Sequence, residues 1–125
     1  MPIQKPEDVI EVATQTFNSG DVDAHMAIYE PDACFNFEPG HLTATGIPAI
    51  REAFTGFFAM KPTLTLELLS CNQTDDIALI HDRWHLTGTG ADGNPLDSHG
   101  QTAAVLRRQP DGNWLIVIDH IFSPD

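Results

Sequence analysis

The stretch that decides the fold is the last apolar run of the chain, Trp114-Leu115-Ile116-Val117-Ile118-Asp119-His120-Ile121-Phe122. Its β-branched and aromatic residues predict a strand that is buried, or nearly so, on both faces. Asp119 is the exception, because a carboxylate in such a strand must find a partner, reach water or take up a proton. Carboxylates in that situation are often working groups of a pocket. The alternative is that Asp119 lies near the strand end and reaches solvent past the C-terminus.

The residues before this strand predict an antiparallel meander. Pro110-Asp111-Gly112-Asn113 is a tight-turn sequence that joins the last strand to the strand before it. The earlier strands of the meander are predicted, in chain order, over 63–71, 77–87 and 98–108.

The first half of the chain predicts helices. Their predicted extents are from Pro6 to the residue before Gly20, over 22–29, and from Pro48 to Lys61-Pro62. A short strand over 32–37 and a polar loop over 40–46 lie between the second and third helices. Helices followed by a sheet indicate an α+β domain with the helices packed on one sheet face.

The two faces of the predicted sheet follow from the alternation of side chains along each strand. One face is predicted to carry Ala78, Ile80, Asp82, Trp84 and Leu86 of one strand and Leu115, Val117, Asp119 and Ile121 of the last. The opposite face then carries Val105, Ile116 and Ile118 and is also apolar. Three helices can cover only one face, so we expect a symmetric homodimer through the outer sheet face.

Composition narrows the class of protein. The 125 residues suit one domain, and 42% of them are hydrophobic. With 18 Asp plus Glu against 6 Lys plus Arg, the net charge of -12 opposes binding to nucleic acid and to anionic membranes. Cys34 and Cys71 predict buried, reduced thiols, with one disulfide as the alternative. No apolar segment has signal-peptide or membrane-spanning length, so we expect a cytoplasmic protein.

Four short segments of the chain occur in an order that is typical of one superfamily. They are Asn18-Ser19-Gly20-Asp21, Tyr29-Glu30-Pro31-Asp32-Ala33, Asp75-Asp76-Ile77-Ala78 and Asp111-Gly112-Asn113-Trp114. In their order and spacing the chain resembles the nuclear-transport-factor-2-like superfamily, which includes ketosteroid isomerases, limonene epoxide hydrolases and SnoaL-like polyketide cyclases. The resemblance implies a single SnoaL-like or ketosteroid isomerase-like domain over residues 1–125. Its fold would be a cone in which three N-terminal helices pack on a curved, mainly antiparallel sheet around an internal pocket.

The resemblance also implies which residues surround that pocket. On the family fold, Asp82 and Asp119 point inward, whereas His81, His85 and His120 point to the outer face of the sheet. The apolar and aromatic residues that accompany the two carboxylates are Trp84, Val117, Phe35, Phe37, Phe54 and Ala104.

When the site residues of each branch of the superfamily are matched to this sequence, the branches differ in how many of them are present. The steroid-isomerase base position falls on Phe37, and its two oxyanion donor positions fall on Ala13 and Ala104, so that constellation is absent. In the epoxide-hydrolase branch one carboxylate matches Asp119, but the arginine that accompanies it falls on Asp82. The polyketide-cyclase branch also has an acid on the last strand, which Asp119 represents.

These residues predict acid–base chemistry in which Asp119 is the general acid or base, Asp82 is its partner and Trp84 is a ligand-stacking wall. Burial and like charge push carboxyl pKa values up, so one group keeps a proton while the other accepts one. The predicted protein is a cofactor-independent isomerase, cyclase or hydrolase for a small apolar substrate with a carbonyl, enol or epoxide oxygen. The alternative is a non-catalytic ligand-binding or assembly module, in which both carboxylates form a structural polar patch.

The histidines and a glycine-rich loop predict no further site. His81 and His85 lie four strand residues apart, or about 13 Å at ~3.3 Å per residue, which is too far for one metal ion. The usual ligand spacings are absent, so we expect no metal, and we expect His81, His85 and His120 to be surface or interface groups. Residues 88–93 spell G-x-G-x-x-G, but Asn94-Pro95 follows where a dinucleotide site needs a helix.

Overall fold

The computed structural model describes residues 2–38, 42–90 and 92–122. After a 3-10 turn at Pro6–Asp8, its helices are α1 (Val9–Ser19), α2 (Val22–Met26) and α3 (Ile47–Phe58). Its strands are β1 (Tyr29–Phe37), β2 (Leu42–Thr45), β3 (Thr63–Thr74), β4 (Ile77–Thr89), β5 (Pro95–Arg108) and β6 (Trp114–Phe122). The predicted α+β class is confirmed, because three helices pack on one mainly antiparallel sheet. No helix in these ranges is long and apolar enough to cross a membrane.

The six strands form one sheet in the order β2-β1-β6-β5-β4-β3. Neighbouring strands run antiparallel except β1 and β6, which run parallel. The strand β2 occupies part of the predicted loop over 40–46, where four residues are too few for alternation to give a clear signal. Gly40 and His41 of that loop lie outside the described residues.

The second helix ends earlier than its sequence predicts. The Asp21 carboxylate caps it by accepting hydrogen bonds from two backbone N–H groups of the first turn, at 3.1 and 3.2 Å. The helix does not continue over 22–29, because the Ile28 carbonyl accepts a hydrogen bond from the Ile116 N–H of β6 at 2.8 Å. Tyr29 therefore opens β1, which places its side chain among the residues of the sheet.

The last strand contains a bulge that changes which of its residues face the helices. The register between β5 and β6 shifts between Ile116 and Ile118, so that Val117 is an extra residue. Ile116 and Asp119 are both buried as a result, while Ile118 is 43% exposed. The prediction that Val117 points inward and Ile116 outward is wrong, because strict alternation requires an unbroken register.

The two faces of the sheet differ in how well they are covered. The inner face packs on the helices, and fully buried members of that core are Phe35, Ile50, Ile80 and Leu106. On the outer face Leu79 lies opposite Val105, and Val105 lies opposite Ile118, so these residues cross three strands side by side. We call Leu79, Val105 and Ile118 the outer-face row; Leu79 is 44% exposed.

Both cysteines are free thiols. Cys34 and Cys71 are partly buried and are not bonded to each other. The structure therefore has the two unbonded thiols of the first prediction and not the disulfide of the alternative. Their burial is less complete than the apolar sequence around them predicts.

Candidate functional site

A cavity of about 100 Å³ lies between the helices and the inner face of the sheet. Its wall is mostly apolar and rich in aromatic rings. The predicted pocket residues that line it are Phe35, Phe37, Phe54, Asp82, Trp84, Ala104 and Asp119. Val117 is not part of the lining, and Ile116 takes its place because of the bulge in β6.

Asp119 is buried in the cavity wall and is held there by Tyr29. The Tyr29 hydroxyl donates a hydrogen bond of 2.6 Å to Asp119 Oδ2, and the aspartate is only 7% exposed. Burial raises the pKa of Asp119 to about 6, although the Tyr29 hydrogen bond and the His120 charge oppose the shift. Burial and then the Asp119 charge raise the pKa of Tyr29 well above its usual range, so the phenol remains a donor. The alternative that Asp119 reaches solvent past the strand end is wrong.

Asp82 faces the same cavity and is incompletely satisfied. It is 5% exposed, and its Oδ1 atom is fully enclosed without a hydrogen-bond partner among the described residues. Burial, followed by the charge of Asp119, raises the pKa of Asp82 to about 7, and its cross-strand neighbour Thr102 opposes the shift. A buried carboxyl that keeps its proton near neutral pH can donate a hydrogen bond to a ligand oxygen.

The two carboxylates stand on either side of β5. Asp82 lies opposite Thr102 on that strand, whereas Asp119 lies opposite Ala104. Two strand spacings of about 4.8 Å and two residues of about 3.3 Å place their Cα atoms roughly 12 Å apart on a flat sheet. This separation suits two groups that act on different atoms of one small molecule better than a pair that shares a single proton.

Trp84 forms a wall of the cavity in an orientation that β5 fixes. Its indole N–H donates a hydrogen bond of 3.0 Å to the Gln101 carbonyl. Its cross-strand neighbour is Gly100, where an added Cβ would lie 2.6 Å from the indole ring. The missing side chain therefore lets the indole lie directly on the strand. The indole ring also lies near Phe37, with ring centroids 6.2 Å apart.

The sequence prediction misses three polar residues of the cavity wall, His25, Tyr29 and Thr102. Thr102 shares a strand face with Ala104, so alternation alone could have identified it. Tyr29 is the only tyrosine of the chain, and it belongs to a segment that carries the family resemblance. His25 gives no comparable signal, because its burial depends on rings contributed by other helices.

Three histidines of the sheet do not line this cavity. Their hydrogen bonds, each of 2.7 Å, join His81 to Gln101, His85 to Asp97 and His120 to Glu38. All three occupy the outer face or its edge, as the sequence predicts. Across the described ranges, three or more His, Cys, Asp or Glu side chains nowhere cluster as metal ligands would.

Comparison with known proteins places this architecture in a family. A family profile described as a SnoaL-like domain matches residues 10–117. The chain is similar to a nuclear transport factor 2-like superfamily protein from Salmonella enterica serovar Typhimurium LT2, with 20% identity, coverage of 95% of this chain and 90% of that one, and a TM-score of 0.83. It is also similar to a ketosteroid isomerase-like protein from Erwinia carotovora atroseptica, with 25% identity, coverage of 96% and 100%, and a TM-score of 0.78.

A third similar structure is described as a candidate association domain of a calcium/calmodulin-dependent protein kinase type II, from Thiobacillus denitrificans. It shares 17% identity, with coverage of 100% of this chain and 99% of that one and a TM-score of 0.81. Comparison with curated proteins finds no significant match. The solved structures agree with the fold, and the family profile spans most of the sequence. The chain therefore belongs to the SnoaL-like domain family, and its fold is that of the nuclear transport factor 2-like structure.

Proposed function

We propose that the cavity binds a small, largely apolar molecule with a carbonyl, enol or epoxide oxygen, and that Asp119 and Asp82 move protons on it without a cofactor. The reaction would be an isomerisation, a cyclisation or a hydrolysis. The observation that carries the proposal is that two buried carboxyls with raised pKa values face one apolar cavity. Such perturbed groups are concentrated at functional sites.

The two carboxyls take different roles because their surroundings differ. Asp119, with a pKa of about 6 and a hydrogen bond from Tyr29, is mostly ionised at neutral pH and acts as the base. Asp82, with a pKa of about 7 and an unsatisfied oxygen, is the acid that donates to the substrate oxygen. Trp84 and Phe35 would hold the apolar part of the substrate and keep water away from the carboxyls.

The volume of the cavity limits the substrate. An engineered apolar cavity of about 150 Å³ takes up benzene, and the cavity here measures about 100 Å³. A compact ring or a short branched chain is therefore the expected size. Phe37 and Phe57 are partly exposed members of the lining, and rotation of these rings would admit a larger molecule.

Exchange of α-hydrogens with D₂O, followed by ¹H NMR on compact cyclic ketones such as cyclopentanone, tests this proposal. We expect the protein to accelerate exchange with a bell-shaped pH profile. The rate should rise through about pH 6 as Asp119 loses its proton and fall through about pH 7 as Asp82 loses its own. Binding without exchange across ketones, enols and epoxides, or a rate that ignores pH, would contradict the proposal.

The alternative is a non-catalytic ligand-binding or assembly module. The hydrogen bond between Tyr29 and Asp119 favours this alternative, because it also links β1 to β6 and satisfies one carboxylate oxygen. The relative described as a kinase association domain gives a second reason to consider assembly. Under this alternative, compact ligands bind without proton exchange, or no ligand binds at all.

We also propose a homodimer through the outer-face row. Leu79 and Ile118 are 44% and 43% exposed, and Val105 joins them across β5. Adjacent apolar side chains on an exposed sheet mark an interaction surface, and a twofold dimer would cover the same patch on both copies. His81 and His120 lie opposite Ala103 on β5, beside the row, so the interface would have a polar edge.

Ile118→Lys should convert this dimer into a monomer, because a twofold axis near the row would bring two lysine charges into an apolar contact. Light scattering coupled to size-exclusion chromatography would measure the mass. Gln15→Lys places the same charge on an exposed position of α1 and should leave the dimer intact. A wild-type mass equal to one chain at micromolar concentration removes the proposal.

A cytoplasmic location completes the proposal. It is supported by Cys34 and Cys71, which are free, since reducing compartments keep thiols unpaired. Cell fractionation with an antibody against the chain would test it, and recovery from an oxidising compartment would contradict it.

A further inference from the structure

The helix side of the cavity contains a histidine that the proposed chemistry does not use. His25 of α2 lines the cavity and is 3% exposed. The rings of Phe17, Tyr29 and Phe54 surround it, with centroids 5.7, 5.8 and 4.6 Å from the imidazole. Among the described residues its only hydrogen-bond partner is Thr16, whose Oγ1 lies 2.8 Å from Nδ1. The other ring nitrogen, Nε2, has none.

Thr16 decides which nitrogen of His25 carries the proton. The Thr16 hydroxyl lies 2.9 Å from the Val12 carbonyl and 3.3 Å from the Ala13 carbonyl, in the preceding turn of α1. Its single proton is directed to these acceptors, so Oγ1 is left to accept a hydrogen bond. His25 must then donate from Nδ1–H, and Nε2 has a free lone pair on the other side of the ring.

Nε2 is therefore a hydrogen-bond acceptor on a side chain that lines an apolar cavity. Burial lowers the pKa of His25 to about 4, so the ring stays neutral at physiological pH. A neutral acceptor in such surroundings favours a ligand hydroxyl or N–H group, because a carbonyl or an anion would leave the lone pair unsatisfied.

We infer that His25 is a ligand-binding residue whose Nε2 atom accepts a hydrogen bond from a hydroxyl or N–H group of the bound molecule. The inference rests on the proposed small-molecule function of the same cavity. Together with the acid Asp82 on the sheet side, it narrows the ligand to a compact molecule with a donor group at one end and an acceptor oxygen at the other. Hydroxy-substituted enones and phenolic carbonyl compounds have this arrangement.

Phenol and toluene are suitable probes, because they have nearly the same shape and differ in one hydroxyl group. Their dissociation constants would be measured by NMR titration for the wild type and for His25→Phe, which keeps an aromatic ring among its neighbours. The preference for phenol over toluene should fall by about 3- to 10-fold in the variant, the usual effect of one hydrogen bond. His99→Phe makes the same change at an exposed position and should leave the preference unchanged.

A measurement on the wild type keeps the inference testable if His25→Phe does not fold. The ¹⁵N spectrum should show a protonated Nδ1 and an unprotonated Nε2, and the Nε2 signal should shift when phenol binds but not when toluene binds. A protonated Nε2, or an Nε2 signal that bound phenol leaves unchanged, overturns the inference. If both probes bind with a preference that His25→Phe retains, only the inference fails. If neither binds, the small-molecule function fails and the inference fails with it.

Discussion

Asp119→Asn should lower the rate of α-hydrogen exchange by about 10²–10⁴-fold, the usual contribution of a positioned general base. The asparagine has the same shape, and its Oδ1 can still accept the Tyr29 hydrogen bond that holds the wild-type carboxylate at 2.6 Å. The cavity should therefore keep its form while losing its proton acceptor. The rate would be measured between about pH 6 and 7, with ketone affinity determined in parallel and expected to change little.

Two variants serve as controls for this result. Asp32→Asn neutralises an exposed carboxylate of β1 and should leave the exchange rate unchanged.

Tyr29→Phe removes a hydrogen bond that opposes the raised pKa of Asp119, so the acid limb of the rate profile should move to higher pH. Wild-type exchange in Asp119→Asn would show that Asp119 is a structural link between strands.

Asp82→Asn should raise the free energy of unfolding by about 2–4 kcal/mol near pH 8 and hardly at all near pH 4. The folded-state pKa of Asp82 is about 7, against an ordinary value of 3.8. The contribution of Asp82 to the free energy of unfolding is therefore fully present below pH 3.8 and is lost as the pH rises through about 7. Asparagine resembles the protonated form at every pH, so it avoids this loss. Urea denaturation at a series of pH values would measure the difference.

Other buried groups also change the free energy of unfolding in this pH range, so the informative quantity is the difference between Asp82→Asn and the wild type. Asp119, with a pKa raised to about 6, changes stability in the same direction as Asp82. His25 acts oppositely, because its pKa is lowered from 6.5 to about 4 and its contribution is lost as the pH falls through that range. Both largely cancel in the difference. Asp32→Asn should show no such pH dependence, and an Asp82→Asn variant less stable than wild type near pH 8 would contradict the expectation.

The meander could be predicted from the sequence because its signals are local. The turn before Trp114 and the apolar, β-branched run after it predict β6 with the observed bounds. The hairpin before it is less well predicted: β4 and β5 pair as far as Thr89 and Pro95, inside the predicted loop over 88–97. That extension comes from pairing between strands, which the composition of a glycine-rich segment does not reveal.

The site was predictable where the register is unbroken and unpredictable where tertiary contacts place the residue. Asp82 and Trp84 face the cavity because β4 pairs with β5 without a shift. The same reasoning wrongly predicts that Val117 faces the cavity, because one extra residue in β6 reverses the two faces of the strand before Asp119. Tyr29 is separated from Asp119 by 90 positions, so their hydrogen bond depends on the parallel pairing of β1 with β6.

The position of β6 between β1 and β5 has a consequence for how the protein is made. A nascent chain that has not yet released residues 114–122 from the ribosome has β1 and β2 as one fragment and the β3–β5 meander as another, with no strand to join them. The carboxylate of Asp119 arrives on the very segment that unites these fragments. Completion of the hydrophobic enclosure and arrival of Asp119 are thus a single event, and a chain terminated before residue 114 would have neither.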